Sequence, residues 1–334
     1  MMIAVDEMNK RYVASECKKH QALYCPGCQE PVILKIGKQK KAHFAHQNRK
    51  NCQGLSEGET SEYLELKKIF FDWCLKTVHD RPIQLESSLP SLLQRPDILC
   101  GRLAVEIQCS SISYMKVAER TKGYLMNGYS VWWVLGSSFL KKDHLTSREK
   151  YFYLYNEKRK LHVWKLDWLT KKLWLFYCVK ESIEGKMTCE KMSWSFGSES
   201  PIQLLANDQN SCTLKKVSSK TIGKKWLQKK LYYRQSKYLS LQKECYLRGK
   251  HLLYLSAWIY EDSQFFFYFK EKIFFYRLLF EEVMNEQMGR SKQWRYINWL
   301  QKIEPNKINW IFPMINKKMI YALFYKECEE IFFV

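Results

Sequence analysis

Asp97, directly after Pro96, and Glu106 are the residues in this chain best suited to chemistry. Eight residues separate the two carboxylates, with Gly101 among them, so a hairpin can bring them together. Alternation along a strand sets Glu106 and Gln108 on one face, with Val105, Ile107 and Cys109 on the other. A carboxylate in an apolar strand is costly to bury unless it is paired or metal-bound. Two converging carboxylates also raise each other's pKa. Magnesium or manganese resolves that conflict, because hard cations take carboxylate oxygens. An ion held there can polarise a phosphate and activate a water, the needs of phosphodiester hydrolysis. Glu62, in the first turn of an expected helix, is a candidate third carboxylate, although the helix dipole alone favours a glutamate there.

A second cluster lies nearer the start. Cys25-Pro26-Gly27-Cys28 is a knuckle whose turn aims two thiolates at one point. His43, His46 and Cys52 follow, with Lys35-Ile36-Gly37-Lys38 between as a hairpin turn. Zinc takes four N or S ligands in a tetrahedron, often as two close pairs. Five candidates compete for four places: Cys25 and Cys28 first, then His46, Cys52 and His43. A closed shell makes this zinc structural, supplying folding energy to a small module.

Elements to carry these groups are legible between residues 58 and 140. Thr60 and Ser61 offer caps, and Tyr63, Leu66, Phe70 and Trp73 recur at helical spacing, so a helix is expected over about 61–78. Ile83 and Leu85 alternate with Gln84 and Glu86 as a strand. A short extended piece around Arg95 to Leu99, a turn at Gly101-Arg102 and a strand over 103–109 follow. Ser111 or Ser113 then caps a helix to about Met126, which Asn127-Gly128 ends. The apolar run Tyr129 to Leu135 reads as a buried strand. The expected order is α-β-β-β-α-β, which excludes a simple doubly wound βαβ domain.

The 334 residues carry 55 Lys and Arg against 34 Asp and Glu, a net charge of +21 that points to a polyanionic partner, nucleic acid before an anionic membrane surface. No apolar run is long enough to span a bilayer, and charged residues among the first fourteen argue against a secretory signal. A soluble cytoplasmic protein is expected. In a reducing compartment Cys74, Cys178, Cys245 and Cys328 read as small core residues. Residues 201–260 hold twelve Lys or Arg against two acids, with Trp226, Tyr232 and Tyr233 among the doublets Lys215-Lys216, Lys224-Lys225 and Lys229-Lys230. That texture suits sequence-tolerant binding of single strands. The bland alternative is a solvated lysine face over core aromatics. Phe265–Phe269 and Ile273–Tyr276 look like the core of a helical region.

Pro96-Asp97 followed by Glu106-Ile107-Gln108 resembles the PD-(D/E)xK, or restriction-endonuclease-like, nuclease superfamily. Glutamine stands at 108 where lysine is usual; it can orient a water but supplies no positive charge. Cys25-Pro26-Gly27-Cys28, His43-Phe44-Ala45-His46, Gln94-Arg95-Pro96-Asp97, Ala104 through Ser113 and Glu119-Arg120-Thr121 together resemble the competence protein CoiA family. The resemblance covers about residues 25–135 and implies three parts: a zinc-finger-like module over 1–57, a nuclease-like domain over 58–140, and a basic, aromatic, mainly helical domain over 141–334. It implies a cytosolic bacterial protein acting on incoming single-stranded DNA in natural transformation, beside recombination or DNA-uptake proteins. Cleavage would use Asp97 and Glu106 on the metal, Gln108 on the water and Glu62 in support. A DNA-binding mediator without catalysis is the alternative. Arg95, Lys116 and Arg120 are candidate phosphate contacts near the site; Lys224, Lys225, Lys229 and Lys230 are candidates in the tail.

Overall fold

Short strands broken by tight turns open the chain, and they pair into one sheet. The computed structural model describes residues 1–18, 21–37, 42–47, 60–89, 92, 94–140, 147–207, 212, 220–286 and 289–333. Strands β1 (Ile3–Val5), β2 (Arg11–Val13), β3 (Leu23–Tyr24), β4 (Pro31–Lys35) and β5 (His43–His46) lie in the order β2-β1-β3-β4-β5. Ala4, Leu23, Cys25, Val32 and Phe44 form its small core. In the antiparallel β4–β5 pair, Val32 faces His46 and Lys35 faces His43.

Helix α1 (Ser61–Thr77) starts where the sequence predicts, with the Thr60 side chain accepting the Tyr63 N–H. Its buried row includes Leu66, Phe70, Trp73 and Cys74, and also Lys67. Then come β6 (Ile83–Leu85), β7 (Ile98–Cys100), β8 (Leu103–Gln108), α2 (Tyr114–Met126) and β9 (Ser130–Leu135). Ser113 caps α2 by accepting the Lys116 N–H, and Gly128 takes the left-handed conformation (φ 73°) just past its end. β6, β7 and β8 are antiparallel neighbours, while β9 lies parallel to β8 after the α2 crossover.

The sheet does not stop at residue 135. Strands β10 (Leu154–Asn156), β11 (Lys160–Asp167), β12 (Lys172–Glu181) and β13 (Met187–Ser195) extend it to the order β13-β12-β11-β9-β8-β7-β6, with β10 beside β11. This corrects the expectation that the chain is mainly helical from 141 onward. Lys and aromatic content hides a period of two: in Lys160–Asp167 and Lys172–Glu181, Val, Trp, Phe and Tyr suit a pleated, buried surface.

Two compact units result: residues 1–154, 162–176 and 191–211 in the first, residues 155–161, 177–190 and 212–334 in the second. The first holds the small sheet, strands β6 to β9 of the larger one with residues 162–167 of β11 and 172–176 of β12, and helix α3 (Pro201–Ala206). Its core is built on Trp132, Trp133 and Trp164, all fully buried. The second gathers α4 (Lys220–Tyr232), α5 (Ser236–Tyr246), α6 (Phe266–Phe269), α7 (Lys272–Glu286), α8 (Lys292–Ile303) and α9 (Lys317–Phe332). Phe265–Phe269 and Ile273–Tyr276 are buried there, with Phe269 and Phe324 rings 4.8 Å apart. Cys74, Cys245 and Cys328 are buried free thiols. Cys178 is not: it forms a disulfide with Cys212, a pairing between distant positions that local composition does not reveal. Among the described residues, no helix is long and apolar enough to cross a membrane.

Candidate carboxylate pocket and metal centre

The antiparallel register Ile98↔Val105, carried one residue further, sets Asp97 opposite Glu106. Opposed residues point to the same side of a sheet, with Cβ atoms about 5 Å apart. Both carboxylates are buried. Asp97 is held at each oxygen: Oδ2 accepts the Ile107 N–H at 2.8 Å and Oδ1 accepts the Tyr63 hydroxyl. Lys67, one turn along α1 from Tyr63, brings its ammonium to 3.5 Å from Asp97 Oδ1. Glu106 Oε1 accepts from both Arg120 and Tyr124 on α2. Burial pushes the Glu106 carboxyl up to about 7; Arg120 opposes that rise and the Asp97 charge adds to it. Burial and Glu106 likewise push the Tyr124 phenol well up, so it stays a donor.

Beside this pair sits a carboxylate the motifs do not announce. Glu86 follows β6 with a left-handed backbone (φ 48°), a conformation costly for a residue with a Cβ. That twist breaks strand alternation and turns the side chain inward. Its Oε2 accepts the Met2 and Ile3 N–H groups at 2.9 and 3.1 Å, and its Oε1 pairs with Lys67. Arg95 lies 3.7 Å away. Burial raises this carboxyl, but Lys67 and Arg95 outweigh burial and hold it well below the usual carboxylate range. Lys67 therefore bridges Glu86 and Asp97, linking the first strand of the small sheet to the buried carboxylate pair.

In the small sheet, Cys25, Cys28 and His46 bring their ligand atoms within 4.8 Å of one another. Cys28 Sγ and His46 Nε2 are 3.3 Å apart, close to the roughly 3.5 Å between S and N ligands on a tetrahedral zinc. The knuckle is shaped by its backbone: the Gly27 N–H points at Cys25 Sγ (3.4 Å), and Gln29 takes a left-handed conformation (φ 59°) to turn into β4. Burial lowers the His46 pKa, favouring the neutral imidazole that binds metals. His43 is an odd number of residues from His46 on β5, hence on the opposite face, and does not join the group. Cys52 lies outside the described residues. The donor set fits a soft, thiolate-favouring ion such as zinc.

The family description "Competence protein CoiA, nuclease-like domain" matches residues 59–210, and "Competence protein CoiA, N-terminal domain" matches residues 5–54. The chain belongs to the competence protein CoiA family. A CoiA relative from Bacillus subtilis (strain 168), described as "Competence protein CoiA", is 37% identical over 128 residues. That match covers 37% of this chain and 34% of the relative, so the chain spans about a third of the relative's length. No solved structure matches.

The match to the CoiA nuclease-like domain covers the carboxylate pair and three of the seven candidate phosphate contacts, Arg95, Lys116 and Arg120. Glu62 is drawn off Asp97: its Oε1 accepts the Ser137 N–H at 2.8 Å, just past β9. Gln108 turns its amide to Ser110, donating to the carbonyl at 2.9 Å and the hydroxyl at 3.3 Å. Arg95 is buried against Glu86 rather than presented to solvent, which corrects its expected place as a phosphate contact; a guanidinium beside β7 is recruited by the hidden carboxylate. Arg120 is half-exposed, with one Nη bonded to Glu106 and to the Arg95 carbonyl. Lys116 is exposed on the first turn of α2. Lys224, Lys225 and Lys229 are exposed on α4, while Lys230 folds back over Trp226 at 5.1 Å.

Lys67 and Glu86 carry no motif in the sequence. For Lys67 a signal exists: it occupies the same helical row as Tyr63, Phe70 and Cys74, so a lysine falls where a core residue belongs. Glu86 has none, because strict alternation with Ile83 and Leu85 assigns it to solvent.

Proposed function

We propose that this CoiA-family chain is a cytoplasmic competence protein that processes incoming single-stranded DNA by metal-dependent phosphodiester hydrolysis at Asp97 and Glu106. The observation that carries this reading is the Glu106 carboxyl. It lies buried opposite Asp97 on the neighbouring strand, and burial pushes it up to about 7 against the opposing pull of Arg120. Asp97 and Glu106 would hold magnesium or manganese, whose charge polarises a phosphate and lowers the pKa of a water. The protein's share is orientation. Tyr63 and the Ile107 amide fix Asp97, Arg120 and Tyr124 fix Glu106, and Lys67 supplies the nearby cation that Gln108 cannot. Recombination or DNA-uptake proteins are the expected partners, and a membrane-bound uptake machinery is where the chain would be recruited.

The test incubates purified protein with labelled single-stranded DNA and Mg²⁺ or Mn²⁺. Wild type should yield shortened products; Asp97→Ala and Glu106→Ala should yield none, and Lys67→Met should slow the reaction while binding persists. Cleavage surviving both carboxylate substitutions would sink this reading. A second reading, a DNA-binding mediator on a nuclease-like fold, is favoured by one observation: the Gln108 amide is spent on Ser110. Binding without cleavage under every metal tried would select it.

For the small sheet we propose a structural zinc on Cys25, Cys28 and His46, with Cys52, the remaining candidate in the sequence, as fourth ligand. Elemental analysis should find one zinc per chain, absent from the Cys25→Ser/Cys28→Ser double variant. Zinc retained by that variant would overturn the assignment.

A further inference from the structure

Helices α4 and α5 and the loop after them carry ten Lys or Arg against one acid, Glu244, over residues 220–254. On this stretch four tyrosines stand in solvent: Tyr232 (80% exposed), Tyr233 (62%), Tyr246 (59%) and Tyr254 (77%). They are not scattered. Tyr246, His251 and Tyr254 form a run of rings with centroids 5.5 and 4.9 Å apart. The Lys224 ammonium lies 5.4 Å from the Tyr254 ring, joining that run to α4. Along α4, Lys225, Lys229 and Tyr232 share one face by helical spacing, and Tyr232 and Tyr233 are in edge contact at 5.3 Å. Residues 224 and 232 are about 12 Å apart along the axis.

The loop that holds the rings is fixed from within. Leu252 N–H donates to the buried Gln242 side chain at 3.1 Å, Lys250 N–H to the Cys245 carbonyl at 2.9 Å, and Leu255 N–H to the Tyr260 hydroxyl at 2.9 Å. Gly249 supplies the left-handed turn (φ 65°) that leaves α5. Of the three rings named from the sequence, Trp226, Tyr232 and Tyr233, Trp226 is not part of this surface: it packs edge-on against Tyr238 at 5.1 Å and Phe266 at 6.3 Å.

We infer that Tyr232, Tyr233, Tyr246 and Tyr254, set among the α4–α5 lysines, form a stacking platform for the unpaired bases of a single-stranded nucleic acid. The lysines take the phosphates, which any polynucleotide offers; the tyrosine faces need bases that are not already stacked in a duplex. Charge complementarity with a ten-to-one basic excess selects a polyanion, and the open rings select the strand state. The inference rests on the proposed DNA partner but not on cleavage.

The test measures binding by fluorescence anisotropy with the full chain carrying Asp97→Asn, in EDTA, so that cleavage plays no part. The probes are an oligo(dT), an abasic oligonucleotide of equal length and a duplex. The platform predicts that oligo(dT) binds at least about tenfold more tightly than the abasic strand, because each base stacked on an exposed ring adds affinity that a bare sugar-phosphate cannot. Substituting all four tyrosines by serine should erase that preference while leaving the salt dependence unchanged. Lys225→Gln/Lys229→Gln should weaken all three probes alike and flatten the salt dependence. The residues substituted are exposed, and circular dichroism verifies the fold of each variant. Equal affinity for oligo(dT) and the abasic strand, an unaltered preference after the tyrosine changes, or tighter binding to phosphatidylglycerol vesicles than to oligo(dT) would each overturn the inference. Loss of nuclease activity alone would leave it standing.

Discussion

Glu86 and Glu106 are both buried in the same unit, and they meet opposite fates. Glu86 accepts two backbone amides and a lysine and sits beside Arg95, so its charge is more than compensated. Glu106 has Arg120 and a phenol on one oxygen and another carboxylate opposite it. One is a finished ion cluster that ties β1 to the larger sheet. The other is an unfinished one, and an unfinished cluster is where a cation has something to gain.

The largest expected effect breaks the finished side. Glu86→Gln takes from the buried Lys67 and Arg95 the carboxylate they share, leaving Lys67 its contact with Asp97, and breaking a buried pair in this way costs about 3–5 kcal/mol. Urea unfolding should show that loss for Glu86→Gln and none for Glu106→Gln at pH 8. Equal losses for the two would erase the contrast.

The next effect sharpens the contrast through pH, in metal-free protein. The Glu106 carboxyl titrates near 7 in the folded state, above its unfolded value of 4.5. Its contribution is therefore fully present below about pH 4.5 and lost as pH rises through 7, a loss of order 3 kcal/mol. Glu86 runs the other way: its folded pKa is depressed, so its contribution holds above the unfolded value and disappears as pH falls in the acid range. Unfolding from pH 5 to 8 should show stability declining in wild type and flat in Glu106→Gln. A decline that persists in Glu106→Gln would assign it to another group.

Much of this arrangement was legible in the residues. The hairpin through Gly101 joined Asp97 to Glu106 because strand pairing follows from turn position and alternation. The caps at Thr60 and Ser113 set the helix starts for reasons local to a few residues. The Cys25–Cys28 knuckle met His46 because β4 and β5 form one hairpin. Three things escaped. Strands β11–β13 were hidden by composition, Glu86 by a left-handed turn that reversed its face, and the Cys178–Cys212 bond by the distance along the chain.

Taken alone, the order of amino acids settled which groups are close neighbours on a strand or helix, because backbone periodicity acts over a few residues. Only the folded chain decided what those groups are worth. Whether a carboxylate is compensated or left wanting depends on Lys67, Arg120 and the Met2 and Ile3 amides arriving from distant segments, since charge in a buried site is felt through space rather than along the chain.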